Sequence, residues 1–395
     1  MSQILVLNAG SSSLKFAVYS VSSEDNLSLT LSGSVSGLPD EPQLVARGPD
    51  GRVAAESDWP RADGGLARTL PRLLAWLAKA GGLDAPVAIG HRIVHGGLGF
   101  RAPARLDEAT LARLGDLVPL APLHQPFNLE AVAAARAAFP GAVQVGLFDT
   151  AFHADQPRLA RIYALPRAMT DEGVIAYGFH GLSYDFIAGE LRRLYGEKGG
   201  GRVVVAHLGS GVSLCAMDQG RSIATTMGFS ALDGPPMSTR SGGVDPGVLL
   251  YLMETKGMSA PDLTDLLYRR SGLLGVSGES GDVRRLQASG SAAAREALDL
   301  FVYRIVREVG GLAAALGGLD RLVFTAGVGE NDPQIRAGIL SACKWLGVEL
   351  DEGANARGET RLTTADSAVE ALVLPTDEQI VIARGALTVL RAPGG

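Results

Sequence analysis

The stretch I-L-V-L-N-A-G-S-S-S-L-K-F-A-V-Y at residues 4–19 decides the fold, because residues 203–217 repeat its design as V-V-V-A-H-L-G-S-G-V-S-L-C-A-M. Each copy is an apolar strand, a polar residue, a tight Gly/Ser turn and a second apolar run. Such a hairpin directs backbone N–H groups and hydroxyls outward at its turn, which suits a phosphate group. Two copies so far apart in the chain predict two related lobes that grip one polyphosphate.

Composition limits the class of protein further. A chain of 395 residues exceeds what one core usually serves, so we expect two domains. The net charge of -6 argues against nucleic acid or an anionic membrane surface as the main partner. Two cysteines, Cys215 and Cys343, exclude a disulfide framework, and neither a signal peptide nor a membrane-spanning apolar run is found. We therefore expect a soluble, cytoplasmic protein.

Periodicity predicts an alternating α/β chain with mixed sheets. We expect Ser183 to cap a helix and Asp377 to cap the last one. Residues 227–245 read as a long functional loop, since they are dense in Gly, Pro and Arg. Besides the two hairpins we expect strands at 27–35, 86–94, 143–148, 321–325 and 369–374, an edge hairpin around 43–54, and helices at 65–80, 107–118, 127–138, 183–195, 246–256, 260–270, 291–316, 333–345 and 377–391.

The two hairpin turns carry the candidate phosphate contacts. A simple polar turn is the alternative for either one, but the second copy favours function. The chain contains no Gly-Lys dipeptide, so a P-loop is excluded and the hairpins must do this work. Asn8 ends the first strand and is a candidate ligand of a metal ion or its water. The candidate phosphate contacts are Ser11, Ser12, Ser13 and Lys15 in the first turn, and His207, Leu208, Gly209, Ser210 and Gly211 in the second.

Two arginines lie in contexts that suit an anion. Arg92 ends an apolar strand in G-H-R-I-V-H-G-G (90–97), where a buried guanidinium needs a carboxylate or phosphate partner. A structural ion pair is the alternative. Arg240 lies in the flexible loop, where an anion explains an arginine better than packing does. Two arginines from different lobes would stabilise a transferring phosphoryl group.

Histidines and carboxylates complete the candidate set. His91 and His95 have H-x-x-x-H spacing, which raises zinc as a minor alternative, although they lie on a predicted strand. His180 lies in a Gly-flanked loop, where it can donate to developing charge. Asp149 and Glu378 follow strand ends, and Mg²⁺ takes one or two carboxylates plus phosphate oxygens.

With these motifs in order, the chain resembles the acetate kinase family of the sugar kinase–actin–chaperone ATPase superfamily, from residue 4 to about residue 385. The resemblance rests on LNAGSSSLK, GHRIVHGG, PLHQPFNL, FDTAFH, YGFHGLS, HLGSGVSL, DGPPMSTRSGG, AGVGEN and PTDE. It implies reversible, ATP-dependent phosphorylation of acetate to acetyl phosphate, with Mg²⁺ (or Mn²⁺) and with ATP/ADP as co-substrate, by a homodimer.

The resemblance also implies an architecture: a duplicated ribonuclease H-like, actin-like ATPase fold with an interdomain nucleotide cleft. Its N-terminal lobe would comprise residues 1–150 and 379–395, because the last helix returns to it. The C-terminal lobe, 151–378, would carry the nucleotide-binding and dimerisation elements.

The family pattern assigns the following roles in this numbering. Asn8 and Glu378 attend the metal ion, Arg92 and Arg240 bind the carboxylate and the moving phosphoryl group, His180 stabilises the transition state, and Asp149 orients the reacting groups. The nucleotide is surrounded by residues 207–211, by Asp282, Val283 and Arg284, and by Gly327, Val328, Gly329, Glu330 and Asn331; Val94, Leu123, His124 and Phe179 line the acetate site.

Departures from the pattern leave alternatives. Ala231 stands where some members have Pro, which keeps propionate or another short-chain acid open as the substrate. Ser241-Gly242-Gly243 replaces a common Cys-Gly-Asp, and Gln379 replaces an acidic residue. An actin-like nucleotide switch is the remote alternative, disfavoured by the joint presence of Arg92 and Arg240.

Overall fold

The computed structural model describes residues 2–10, 13–38, 40–61 and 65–392. Their contacts divide the chain into two compact units, Met1–Ala151 with Asp377–Gly395 (unit 1) and Phe152–Thr376 (unit 2). Within the described ranges, no helix is long and apolar enough to cross a membrane.

The elements alternate between strand and helix along the chain. The first are β1 (Ser2–Ala9), β2 (Leu14–Val21), β3 (Leu27–Ser36), β4 (Gln43–Arg47), β5 (Val53–Asp58), α1 (Leu66–Lys79), β6 (Ala88–Ile93), β7 (Ala104–Arg105), α2 (Glu108–Gly115), α3 (Gln125–Ala138) and β8 (Val143–Phe148). Next come α4 (Arg158–Arg161), α5 (Arg167–Asp171), α6 (Gly181–Tyr195), β9 (Arg202–Leu208), β10 (Val212–Asp218), β11 (Arg221–Thr225), α7 (Pro246–Glu254), α8 (Ala260–Arg269), α9 (Gly272–Ser277), α10 (Val283–Ser289) and α11 (Ala292–Leu316). The last are β12 (Arg321–Thr325), α12 (Ala326–Asn331), α13 (Pro333–Ala342), α14 (Glu352–Arg357), β13 (Glu370–Val373) and α15 (Glu378–Arg391), and 3₁₀ turns lie at Val118–Leu120, Ala151–His153 and Lys344–Leu346.

Each unit is built on one mixed sheet. Among the described residues, the sheet of unit 1 has the order β5-β4-β3-β2-β1-β6-β8-β7 and that of unit 2 the order β11-β10-β9-β12-β13. In both, an antiparallel hairpin is followed on one side by an antiparallel strand and on the other by two parallel strands. The strands β3-β2-β1-β6-β8 and β11-β10-β9-β12-β13 therefore share one topology, and the expected mixed α/β fold with a duplicated sheet is confirmed.

The sequence explains why these sheets are buried. The runs Ile4–Leu7 and Val203–Ala206 are fully enclosed, because helices cover both faces of their parallel neighbours. In unit 1 the leucines of α1, spaced at three and four residues, pack on β1 and β2. In unit 2, Ile187 and Leu191 of α6 pack on β9.

Two expectations about local structure are corrected. Ser183 does not cap a helix: α6 begins at Gly181 after His180, whose left-handed backbone (φ 58°, ψ 24°) starts the helix earlier. The helix predicted at 333–345 ends at Ala342.

Other short elements carry too few residues for a periodic signal. The strand β11 and the helices α9 and α10 were not expected from the sequence. The cap of the last helix is confirmed, since the Asp377 carboxylate accepts hydrogen bonds from the amides of Gln379 and Ile380.

Candidate functional site

Four polar side chains of unit 1 form one chain of contacts at the carboxyl ends of its parallel strands. The Arg92 guanidinium donates from Nε and Nη2 to Asp149 Oδ2 at 2.9 and 2.6 Å, and from Nη1 to Asn8 Oδ1 at 3.2 Å. The Asn8 amide donates in turn to Glu378 Oε2 at 3.3 Å. Ligands of open α/β sheets bind at this edge, so the position suits a substrate.

The pair of Arg92 and Asp149 is electrostatically coupled. Burial raises the pKa of the Asp149 carboxyl, and the adjacent guanidinium opposes that rise. Burial alone would lower the pKa of Arg92, but Asp149 and Glu378 raise it. The Asp149 side chain is 1% exposed, whereas the Arg92 side chain is 22% exposed. A buried carboxylate therefore fixes the guanidinium, and part of the guanidinium stays accessible to a ligand.

The oxygen donors of this cluster fit a hard cation. Glu378 supplies a carboxylate at the first turn of α15, and Asn8 supplies an amide oxygen. Asp149 Oδ1 is buried and has no hydrogen-bond partner among the residues that the structure describes. No group of three or more His, Cys, Asp or Glu is placed to hold a metal ion in that part of the chain. Such a donor set suits Mg²⁺, which takes few protein carboxylates and completes its shell with phosphate oxygens and water.

The candidates of unit 1 for the wall of the acetate site follow β6 or precede α3. Val94 is buried directly after β6, and its amide donates to Asn128 Oδ1 at 2.9 Å. Leu123 and His124 are half-buried at the start of α3, where His124 precedes the first helical residue. Asn128 also donates to the Ala9 carbonyl at 3.0 Å, so one amide side chain fixes the ends of both β1 and β6.

One group of candidate side chains in unit 2 consists of imidazoles and the hydroxyls that contact them. His180 stacks on His207 with ring centroids 4.2 Å apart. His180 Nδ1 lies 2.8 Å from Ser213 Oγ, and His207 Nδ1 lies 2.9 Å from Ser183 Oγ. Phe179, just before His180, is buried, and its carbonyl accepts a hydrogen bond from His153 Nε2 at 3.0 Å.

The turn of the second hairpin adjoins these histidines. Its backbone closes through Gly209 N–H and the Gly211 carbonyl at 3.1 Å. A Cβ atom at Gly211 would lie 3.1 Å from His180 Nε2 and 3.7 Å from Arg240 Nη1, so glycine lets the ring and the guanidinium approach this turn. Leu208 is buried and Ser210 is exposed.

Two contacts of Arg240 come from its own loop. Its Nη1 donates to the Ala231 carbonyl at 2.9 Å and lies 3.7 Å from Met237 Sδ. Both partners belong to the loop 226–245 between β11 and α7. The loop therefore positions this guanidinium next to the hairpin turn.

The first hairpin turn is described in part. Ser11 and Ser12 lie outside the described residues. The Gly10 amide donates to the Ser13 carbonyl at 2.9 Å, and Lys15 is exposed on β2 opposite Asn8.

The remaining nucleotide candidates include two carboxylates that bind backbone. Asp282 caps α10, ahead of buried Val283, and its carboxylate pairs with exposed Arg284 at 2.9 Å. Glu330 Oε1 accepts hydrogen bonds from the amides of Ala326 and Thr376 at 2.8 and 3.1 Å. The helix α12, which contains Gly327, Val328, Gly329, Glu330 and Asn331, is thereby fixed to the segment after β13.

The two histidines of the H-x-x-x-H spacing, His91 and His95, have different hydrogen-bond partners. His91 Nε2 contacts Gln144 Oε1 at 2.8 Å, and His95 Nδ1 accepts from the Gly97 amide at 2.9 Å. Burial lowers the pKa of both rings to about 4. Both are therefore neutral at pH 7.

Sequence reasoning missed the residues that position the candidates. Asn128 fixes two strand ends in unit 1, and Ser213 and Tyr184 contact each other at 2.5 Å beside His180 in unit 2. The available signal was spacing, since Tyr184 is four residues after His180 and so lies on the same side of the helix turn.

Known proteins resemble the chain over its whole length. The acetokinase family matches residues 3–384. An acetate kinase of Rhodopseudomonas palustris (strain TIE-1) is 49% identical over 388 residues, which cover 96% of each chain.

Two solved structures share the fold. A propionate kinase from Francisella tularensis superposes with a TM-score of 0.90 at 33% identity, covering 98% of this chain and 100% of that one. The acetate kinase of Porphyromonas gingivalis gives a TM-score of 0.85 at 34% identity, covering 99% of this chain and 100% of that one. Both identities are high enough for the likeness to extend beyond architecture.

Proposed function

The chain belongs to the acetokinase family and is an enzyme of that family, and on this premise we propose that it transfers the γ-phosphoryl group of ATP reversibly to acetate. The observation that carries the proposal is the contact chain of Asn8, Arg92, Asp149 and Glu378. It presents one half-open guanidinium beside oxygen donors for a cation, as an anionic acceptor and a polyphosphate require.

The chemistry needs positioning more than proton transfer. Acetate is ionised at pH 7, so its oxygen attacks the γ-phosphorus without a strong base. The new bond between the carboxylate oxygen and the γ-phosphorus forms in line, as the bond from the γ-phosphorus to the oxygen that bridges it to the β-phosphate breaks. ADP leaves with the electron pair.

Each candidate side chain has a role in this step. Arg92 neutralises the acetate carboxylate while Asp149 fixes the orientation of the guanidinium. Arg240 and His180 donate hydrogen bonds to the phosphoryl oxygens as charge develops. The segments 207–211, 282–284 and 327–331 hold the nucleotide, together with Ser11, Ser13 and Lys15.

We also propose that Glu378 and Asn8 hold Mg²⁺. When bound, that ion neutralises phosphate charge. Val94, Leu123, His124 and Phe179 close the acetate site around the methyl group.

A propionate preference is the second candidate. It is favoured by one observation, the small side chain of Ala231 in the loop that braces Arg240. We infer that an alanine in place of a proline ring would accommodate one more methylene.

We further propose a cytoplasmic homodimer with no nucleic-acid or membrane partner. Helix α7 has no buried residue, and Leu250 and Tyr251 are 57% and 50% exposed. An apolar face of this kind is typical of a subunit interface. Light scattering should give twice the chain mass, and Leu250→Lys with Tyr251→Lys should give the single mass.

The function is tested by trapping acyl phosphate as the hydroxamate, with ATP and either acetate, propionate or butyrate. Acetate should give the highest kcat/KM, and removal of divalent metal should abolish product. No acyl phosphate from any of the three acids would refute the function.

The metal assignment has its own control. Glu378→Gln keeps the size and the hydrogen bonding of the side chain, yet it should raise the Mg²⁺ concentration needed for half-maximal rate. Full activity without divalent metal would refute the role of Asn8 and Glu378 while leaving phosphoryl transfer intact.

A further inference from the structure

Three groups in unit 2 share one short hydrogen-bond chain. Ser213 Oγ lies 2.8 Å from His180 Nδ1 and 2.5 Å from the Tyr184 hydroxyl oxygen. Ser213 is on β10, just after the hairpin turn, and Tyr184 is in the first turn of α6. Tyr184 and Ser213 are both fully buried. The number of donors and acceptors in this hydrogen-bond chain therefore determines where its protons lie.

The direction of the first hydrogen bond follows from Tyr184. Burial raises the pKa of its phenol well above 10, so the hydroxyl keeps its proton. Among the described residues, the structure gives that hydroxyl one hydrogen-bond contact, Ser213 Oγ. A buried donor left unmatched costs free energy, so Tyr184 donates to Ser213.

The second hydrogen bond then has one favourable direction. Ser213 carries one proton, and its oxygen already accepts from Tyr184. Within the described part of the chain its other side-chain contact is His180 Nδ1, so the Ser213 hydroxyl donates to that nitrogen. A ring nitrogen that accepts a hydrogen bond carries no proton. The ring proton must then be on Nε2.

We propose that Ser213 and Tyr184 are positioning residues that hold His180 as a neutral imidazole with its proton on Nε2. A positively charged ring would carry a proton on Nδ1 and leave the Ser213 proton without this acceptor. The Nε2 end lies beside Gly211 and Arg240, as the close approach at Gly211 shows. The pair thereby presents a donor, rather than a lone pair, toward the hairpin turn.

The consequence for catalysis rests on the proposed function. If the turn holds phosphate, an Nε2–H group donates to a phosphoryl oxygen, whereas the other tautomer would direct a lone pair at it. The tautomer itself is a property of the free protein and is tested without activity.

The test uses the full chain labelled with ¹⁵N-histidine. Long-range ¹H–¹⁵N spectra distinguish a protonated from an accepting ring nitrogen, and His180→Gln identifies the signal by its loss. We expect wild type to show His180 with an accepting Nδ1 and a protonated Nε2. A protonated Nδ1 in wild type would overturn the proposal.

Variants separate positioning from folding. Ser213→Ala should give an averaged tautomer signal. It should also lower kcat roughly tenfold at an unchanged KM for ATP, by analogy with the lower end of the cost of losing a side chain that orients a metal-bound histidine. Ser213→Thr keeps the hydroxyl and should restore both. An unaltered His180 signal in Ser213→Ala would overturn the role of Ser213.

Ser222→Ala is the matched control. Ser222 is also buried and lies 2.8 Å from a histidine Nδ1, that of His153. Its loss should cost similar stability but leave the His180 signal as in wild type. A wild-type Nε2–H signal together with no phosphoryl transfer would refute the proposed function alone.

Discussion

The hairpins β1–β2 and β9–β10 have the same topology and different chemistry. In each, the next-to-last residue of the first strand is polar, Asn8 in β1 and His207 in β9. In unit 1 the parallel neighbour of β1 is β6, which places Arg92 beside Asn8. In unit 2 the parallel neighbour of β9 is β12, which pairs Thr325 with His207. Unit 1 therefore places an arginine at this edge of its sheet, whereas unit 2 places a threonine there.

The difference lies in how each unit holds its functional side chains. Arg92 is held by a buried carboxylate, Asp149, so its charge is fixed by an opposite charge. The contacts of Arg240 include a backbone carbonyl and a thioether sulfur of its own loop. A repeated backbone thus fixes where side chains lie, but not whether ion pairs or neutral hydrogen bonds orient them.

The largest expected effect is on kcat, and the accompanying effect on stability distinguishes Arg92 from Arg240. Arg92→Ala and Arg240→Ala should each lower kcat roughly 10²–10³-fold, because each removes a donor to developing charge. Arg92→Ala should also destabilise the protein, by about 3–5 kcal/mol and more than Arg240→Ala does, since it leaves the Asp149 carboxylate buried and unpaired. Steady-state kinetics and urea unfolding measure the two effects.

The double variant Arg92→Ala/Asp149→Ala is the control for the ion pair. It should recover part of the lost stability without recovering kcat. Equal stability losses in the two arginine variants would erase the contrast between the units, and a near-normal kcat in either would reassign that arginine to structure.

The second prediction concerns the backbone of His180. Its φ of 58° is unfavourable for a residue with a Cβ atom, and glycine adopts it freely. His180→Ala and His180→Gly should both lower kcat about 10²-fold through loss of the imidazole donor. His180→Gly should be more stable than His180→Ala by about 1 kcal/mol.

Thermal unfolding and kcat are measured on the same preparations. A folded His180→Ala variant with wild-type kcat would refute the catalytic role. A loss of the cooperative transition in both variants would mark His180 as a core residue instead.

The sequence predicts the fold well where signals are long. Alternating apolar runs predict both hairpins, and the spacing of leucines predicts α1 at 66–79 within one residue at either end. It fails where one residue in an unusual conformation sets a boundary. The start of α6 depends on the left-handed backbone of His180, which a search for Ser or Asp caps does not detect.

The candidate site is predictable only where its motifs are local. Asn8 and Arg92 were chosen from the ends of predicted strands, and parallel pairing brings them into contact. The partners that hold a candidate come from distant segments instead: Asn128 from α3 for Val94, and Ser213 from β10 for His180. A single sequence does not report which strands become neighbours, so these contacts required the structure.

The third prediction uses acid to test unit 1. Burial lowers the pKa of His91 to about 4, whereas an unfolded histidine has a pKa of about 6.5. Between these values the unfolded state binds more protons, so the free energy of unfolding falls as pH drops from about 6.5 toward 4. One such histidine contributes up to about 1.4 kcal/mol per pH unit.

His91→Gln keeps an amide for Gln144 and cannot be protonated in this range. It should therefore lose less stability than wild type when urea unfolding is compared at pH 7 and pH 5. His153→Gln applies the same test to unit 2, because burial also lowers the pKa of His153 to about 4. Equal pH dependence in wild type and both variants would show that these rings are not the acid-sensitive groups.

The smallest expected effect concerns selectivity, and it separates Val94 of unit 1 from Ala231 of unit 2 as the proposed determinant. Val94 directly follows β6, two residues after Arg92, and Asn128 holds the Val94 amide. Val94→Ala removes two methyl groups from the proposed wall of the acetate site. One methylene in such a pocket changes discrimination by about 1–3 kcal/mol at most. The ratio of kcat/KM for acetate over propionate should therefore fall several-fold.

Ile93→Val, on the opposite side of β6 from Arg92, should lower stability and leave the ratio unchanged. The same ratio in Val94→Ala and wild type would place Val94 outside the pocket, whereas a wild-type ratio below one would mean that Ala231 has already opened the site to propionate.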